Sequence, residues 1–227
     1  MPELSLVIQE PTDTPAQLIV LCHAAGDDAA SLLPLGERLR ETFPLATIVS
    51  LQADAPAATP NGFEWFSAEG LTEDNRLPRV AGALPGLQAA VRDWQARSGV
   101  SAAATALIGL SEGAEMVLEA SKPKPMLASR VLAIGGRFTT LPAEPTAVTT
   151  LHFLHGKQDT RIHYSHSVVA AHHLRDMGCD ITAEVLPFIG HELHPDLIEL
   201  AVTKLSTHIA QHLWTAAQES APPLSTH

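Results

Sequence analysis

The chain of 227 residues is short of sulfur, of aromatic rings and of positive charge. Its two cysteines, Cys22 and Cys179, lie far apart and beside apolar segments, without the spacing of a redox pair or a metal site. That excludes a disulfide-stapled framework and predicts two buried free thiols. Lysine and arginine number 14 against 25 aspartates and glutamates, and no basic cluster interrupts the net charge of -11. Nucleic acid is not an expected partner, because binding it relies on lysine and arginine at the phosphates. No run of ~18 apolar residues occurs, so neither a spanning helix nor stable membrane association is expected. Met1-Pro2-Glu3-Leu4-Ser5 offers no basic region followed by a long apolar one, and the expected location is cytoplasmic.

What is present is enough apolar material, 45% of residues, for the core of one α/β domain. Apolar runs at 4–9, 18–22, 46–51, 106–110, 131–134, 151–154 and 182–188 alternate with helical patterns at 31–42, 84–97, 112–120, 164–177 and 194–214. This alternation predicts a mostly parallel, doubly wound sheet of about seven strands flanked by helices, with the first strand an antiparallel edge. One domain is expected over 1–215, followed by a flexible tail at 216–227 that carries Pro222-Pro223 and little apolar content. The stretch between 133 and 150 is too short for an inserted cap domain, which leaves the site open to solvent. The longest connection, 52–82, is rich in proline, glycine and acidic residues and carries Phe63, Trp65 and Phe66. Three aromatics argue against disorder there; they either pack the loop or line a substrate pocket.

One string stands out. Gly109-Leu110-Ser111-Glu112-Gly113 follows an apolar strand directly and opens a helix, the setting of a nucleophile elbow. A helix N-cap would account for Ser111 but not for glycines on both sides. Free N–H groups at the start of that helix aim where an oxyanion would develop. A carboxylate and then a histidine follow in the order such a sheet requires: Asp159 in the polar loop after strand 151–154, and His191 in the turn after strand 182–188. Three loops at the carboxyl ends of strands then converge on one edge. The zincin-like string His191-Glu192-Leu193-His194 has its histidines three apart where a helix needs four, and no metal is expected. His163, His166, His172 and His173 read as a solvated helix face.

These motifs in order resemble the phospholipase/carboxylesterase group of the α/β-hydrolase superfamily, which includes acyl-protein thioesterases and small bacterial carboxylesterases. The resemblance rests on the turn Leu21-Cys22-His23-Ala24-Ala25-Gly26-Asp27, the pair Trp65-Phe66, the elbow, His155-Gly156-x-x-Asp159 and Gly190-His191. It implies an α/β-hydrolase fold, with Ser111 as nucleophile, Asp159 as acid and His191 as base. It further implies an oxyanion hole built from the N–H groups of Ala25 and Glu112, and no cofactor. Ala24 stands where the family usually has the first glycine of His-Gly-x-Gly, and Ser67 where it often has aspartate. The expected activity is cleavage of short or medium acyl esters of small molecules through an acyl-enzyme. Thioesterase or lysophospholipase activity is an alternative within the same chemistry. The rival expectation of another class is a hydrolase fold without turnover that binds small molecules or partners.

Overall fold

The computed structural model describes residues 5–122, 124–146 and 148–210. In chain order the elements are β1 (Ser5–Gln9), β2 (Gln17–Cys22), α1 (Leu33–Thr42), β3 (Ala46–Leu51), the two-residue β4 (Ala55–Pro56) and β5 (Phe63–Glu64), and α2 (Glu73–Ser98). Then come β6 (Thr105–Leu110), α3 (Glu112–Ala120), β7 (Arg130–Ile134), β8 (Thr150–Gly156), α4 (Ser165–Asp176), β9 (Ile181–Leu186) and α5 (Pro195–Thr207). Seven strands form one sheet in the order β1-β3-β2-β6-β7-β8-β9, while β4 and β5 make a separate small ribbon. β1 runs antiparallel to β3, and the remaining neighbours are parallel. This is the α/β-hydrolase architecture read from the sequence.

Period-two alternation feeds two cores. Leu18, Val20 and Cys22 of β2 face one side with Val80, Leu87 and Trp94 of α2, Met116 of α3 and Leu174 of α4. Ile19 and Leu21 face the other with Leu35 and Leu39 of α1 and Leu197 and Ala201 of α5. A sheet covered on both faces explains why its strands read as continuous apolar runs. Cys22 and Cys179 are buried and free. From β2 the sheet extends through β3 to one edge and through β6 to the other, so the winding reverses between β2 and β6. A crevice opens at such a reversal outside the carboxyl ends of the two strands.

The structure corrects four boundaries. The helix expected at 84–97 begins eleven residues earlier, at Glu73, and runs through Pro78 and Pro85. Each proline removes the bond to the carbonyl four residues back. Here those carbonyls belong to Asp74 and Ala81, both exposed, so solvent can satisfy them in place of the lost donor. Asn75 Oδ1 accepts the Thr72 N–H at 2.8 Å and fixes the helix start. The loop before it therefore spans 52–72 and contains the β4–β5 ribbon. α5 stops at Thr207, where His208 turns extended and its carbonyl accepts Arg130 Nη2 at 3.0 Å; residues 211–214 of the expected helix lie outside the described residues, as does the tail 216–227. β9 ends at Leu186, because Phe188 adopts φ 63° in the turn that leads to His191. The connection 135–149 from β7 to β8 carries no helix or strand among its described residues. Among the described residues no helix is long and apolar enough to cross a membrane.

Candidate active site

Ser111 occupies the single residue between β6 and α3 and adopts φ 56°, ψ -112°. A non-glycine residue held there costs about 1–3 kcal/mol, so its surroundings must hold it. Its N–H donates to Ile134 O at 2.9 Å and its carbonyl accepts the Glu115 N–H at 3.1 Å. The flanking glycines are needed for closeness: a Cβ on Gly109 would lie 2.2 Å from Gly113 O, and one on Gly113 would lie 2.2 Å from Cys22 O. All nine residues of α3 are buried, which clamps the turn between β2 and β7.

His191 Nε2 lies 2.8 Å from Ser111 Oγ, and His191 Nδ1 lies 2.7 Å from Asp159 Oδ2. An ionised carboxylate only accepts, so Nδ1 carries the proton and Nε2 is left to accept from the serine hydroxyl. Burial pushes the Asp159 pKa up, but the His191 hydrogen bond, the Ile162 and Arg161 amides and the His191 charge outweigh it and hold the group below the usual carboxylate range. Those two amides donate to Oδ1 at 2.9 Å each. The three side chains come from the loops after β6, β8 and β9, as the order in the chain suggested.

His155 was legible only as part of a string, and the structure gives it a task. Its Nε2 faces two acceptors, Ile162 O at 2.8 Å and Asp159 Oδ2 at 3.2 Å, so Nε2 carries the proton and Nδ1 accepts the Ser167 hydroxyl at 2.8 Å. Burial keeps its pKa below the ordinary histidine value. A neutral, fully buried imidazole thus shares Asp159 Oδ2 with His191. Its spacing of four residues before Asp159 was the available signal. Gly135, with φ 56°, backs the pair: a Cβ there would lie 3.5 Å from Asp159 Oδ2 and 3.7 Å from His191 Nδ1.

The loop after β2, which carries Ala25, starts against the elbow, since a Cβ on Gly113 would lie 2.6 Å from His23 O. Among described non-glycine residues positive φ is confined to Asn61, Ser111 and Phe188, so Ala24 sits without left-handed strain and Gly26, at φ 84°, takes the turn. The Gly26 N–H donates to Phe63 O and the Asp27 N–H to Ala24 O. The Ala25 N–H between them takes part in neither bond. His23 is structural: its Nδ1 donates to Ala24 O at 2.7 Å and its Nε2 accepts the Ala53 N–H at 3.1 Å. Trp65 ties the two sides together, because its indole N–H donates to His23 O at 2.9 Å and its backbone N–H to Glu112 Oε2 at 2.7 Å. Phe63 belongs to the ribbon that holds Gly26, and Phe66, 5% exposed, packs into the core beside α2 and not on the crevice wall.

A match to the Phospholipase/Carboxylesterase family extends over residues 4–212. The chain belongs to the phospholipase/carboxylesterase family. As a member it is an enzyme, a hydrolase acting on ester bonds. Esterase YpfH of Escherichia coli (strain K12) is 39% identical over 217 residues, 96% of this chain and 94% of that protein. The crystal structure of esterase PE8 superposes with a TM-score of 0.77 at 27% identity, over 86% of this chain and 95% of that one. A carboxylesterase from Mesorhizobium loti shares the fold, with a TM-score of 0.74 at 18% identity over 91% and 100% of the two chains.

Two further histidines of this family member are tied down by hydrogen bonds. His194 caps α5, its Nδ1 accepting the Asp196 N–H at 3.2 Å, and His173 Nε2 donates to Pro142 O at 2.7 Å. The charged oddity is Glu112. Burial pushes its carboxyl up to about 7, while the Trp65 amide pulls in the other direction. A folded-state pKa above the unfolded value means the fold favours the proton. Stability is therefore full below the ordinary glutamate range, falls as the pH rises toward 7, and is constant above it. Glu112→Gln keeps an acceptor for Trp65 and carries no charge. Its stability relative to wild type is expected to rise between pH 5 and pH 8, by on the order of 3 kcal/mol at most. Denaturant unfolding across that range checks this, and a difference independent of pH would disprove it.

Proposed function

We propose that this ester hydrolase is a single-domain, cytoplasmic serine carboxylesterase acting on small-molecule esters, with Ser111 as nucleophile, His191 as general base and Asp159 as the acid that orients it. The reading is carried by the continuous relay from Asp159 Oδ2 through His191 to Ser111 Oγ, with heavy-atom separations of 2.7 and 2.8 Å. His191 Nε2 takes the serine proton as Oγ attacks the ester carbonyl carbon. The carbonyl oxygen becomes an oxyanion held by the N–H groups of Ala25 and Glu112. Collapse expels the alcohol, which receives the proton from His191 Nε2 and leaves an acyl-serine. Water attacks that acyl group, giving a proton to His191 Nε2, which passes it to Ser111 Oγ as the acyl–Oγ bond breaks and the carboxylic acid departs. Asp159 stabilises the imidazolium without taking the proton itself, and no cofactor enters the cycle. Phe63, Trp65 and Phe66 act in this reading through the loop they hold.

A fluorophosphonate tests it directly. The reagent is expected to modify Ser111, mapped by peptide mass spectrometry, and Asp159→Asn is expected to slow both labelling and kcat by about 10⁴-fold with little change in KM. Labelling elsewhere, or none, would favour a binding protein without turnover. The acyl range is short to medium, because no inserted domain covers the crevice among the described residues. For straight-chain esters kcat/KM is expected to rise over the first few carbons, by ~0.8 kcal/mol of apolar transfer per methylene at most, and then level. A profile still climbing at palmitoyl would favour the lysophospholipase or acyl-thioesterase alternative.

A further inference from the structure

We propose that the groove beside Arg137 binds a carboxylate carried by the substrate, which makes esters bearing a second, free carboxylate the preferred class. The inference rests on the ester-hydrolase reading of Ser111 and adds to it the chemistry of the group at the far end of the substrate. The groove begins two residues along the chain from the glycine that backs the acid and the base. A Cβ on Gly135 would meet Asp159 and His191, and one on Gly136 would lie 3.1 Å from Ser111 O. Arg137 is the next residue, and two residues of chain reach at most ~7 Å. From there Arg137, Phe138, Thr139 and Leu141 form one wall, and Ser165, His166 and Val169 at the start of α4 form the other, around about 340 Å³. That volume lies within the range of small-molecule sites. Leu141 and Val169 are 40% and 56% exposed, apolar surface that a methylene chain would cover.

The charge pattern names the terminal group. Arg137 Nη2 donates to Glu73 Oε1 at 2.6 Å, and the same oxygen accepts Arg76 Nε at 3.3 Å. Glu73 is 70% exposed while the Arg137 side chain is 16% exposed, so a sheltered cation is neutralised by a carboxylate standing in water. Arg76 has a second partner in the buried Glu115, at 2.9 Å. Arg137 has none of that kind among the described residues. If Glu73 swings away, Arg76 keeps its direct bond to Glu115, whereas Arg137 keeps only the longer-range field of Glu115 and is open to a new anion. Because the Glu73 partner stands in water, it holds the sheltered Arg137 less firmly than a buried carboxylate would, and a substrate carboxylate can compete with it. A guanidinium suits that ligand because its planar fork matches a carboxylate. The negative charge of the whole chain opposes the approach only at long range, where salt screens it beyond ~8 Å.

Two opposed variants test the proposal. The 4-nitrophenyl monoesters of adipic and suberic acid are compared with the neutral 4-nitrophenyl hexanoate and octanoate. The acetyl ester of 6-hydroxyhexanoate is compared with hexyl acetate, to place the carboxylate on the alcohol side. Wild type is expected to favour the charged member on at least one side. Arg137→Gln should lower that charged-to-neutral ratio of kcat/KM about tenfold or more, chiefly through KM. Glu73→Gln should raise it a few-fold, because the competing carboxylate is gone. Thermal melting of both variants checks that they fold. Ratios unmoved by Arg137→Gln on both sides, or shifted in the same direction by the two variants, would overturn the groove. Failure of wild type on the neutral hexanoate would instead sink the ester-hydrolase reading itself.

Discussion

Replacing Ser111 with alanine is expected to lower kcat for ester hydrolysis by a factor on the order of 10⁴ or more, with the melting temperature little changed. The two halves of that expectation have separate causes. Chemistry is lost because the only atom removed is the Oγ that lies 2.8 Å from His191 Nε2. The fold survives because alanine adopts the same backbone at the same strain, and the bonds that hold the turn, to Ile134 O and from the Glu115 N–H, use main-chain atoms alone. What remains would come from the N–H groups and substrate binding. Activity above a tenth of wild type would remove Ser111 from the mechanism, and a collapse in melting temperature would make the loss uninformative.

Gly113→Ala should do the reverse, costing stability first. Its Cβ would lie 2.2 Å from Cys22 O and 2.6 Å from both Cys22 C and His23 O. These are backbone atoms at the end of a central strand paired on both sides, so no side chain can swing aside. Overpacking of this kind costs ~3 kcal/mol or more, on the order of 10 °C in a domain of this size. Gly82→Ala is the matched control: Gly82 lies inside α2 with nothing within 4 Å of its added Cβ. That change should stabilise by about 0.5–1 kcal/mol through helix propensity. Calorimetry of the pair reads both, and a Gly113→Ala melt within two degrees of wild type would show that the elbow yields more than its contacts imply.

The sheet was legible because two-sided burial writes each strand as an unbroken apolar run, and the elbow because glycine at 109 and 113 has a steric reason. Asp159 and His191 could be sought by order and position, and both lie within hydrogen-bond distance of the residues they were paired with. The start of α2 was hidden by Pro78 and Pro85, whose meaning depends on whether the orphaned carbonyls face water. Phe66 looked like a loop aromatic since nothing local reveals that the chain dips into the core there. The role of the Glu112 carboxylate was invisible for the same reason, being a contact between segments distant in the chain, and that of His155 left only its spacing before Asp159 as a trace.

The order of the relay along the chain has a consequence for synthesis. A ribosome delivers the elbow first, yet α3 has nine residues and is buried all round, too short to persist as a free helix. Its clamp needs β2, already made, and β7, which comes later. Asp159 arrives after that, and His191 only when β9 has been added at the far edge. In the proposed mechanism a nascent chain therefore carries an ordinary alcohol at Ser111 until the last strand of the sheet is in place. Premature acylation by metabolites in the surrounding fluid is thereby opposed by the order of the elements along the chain.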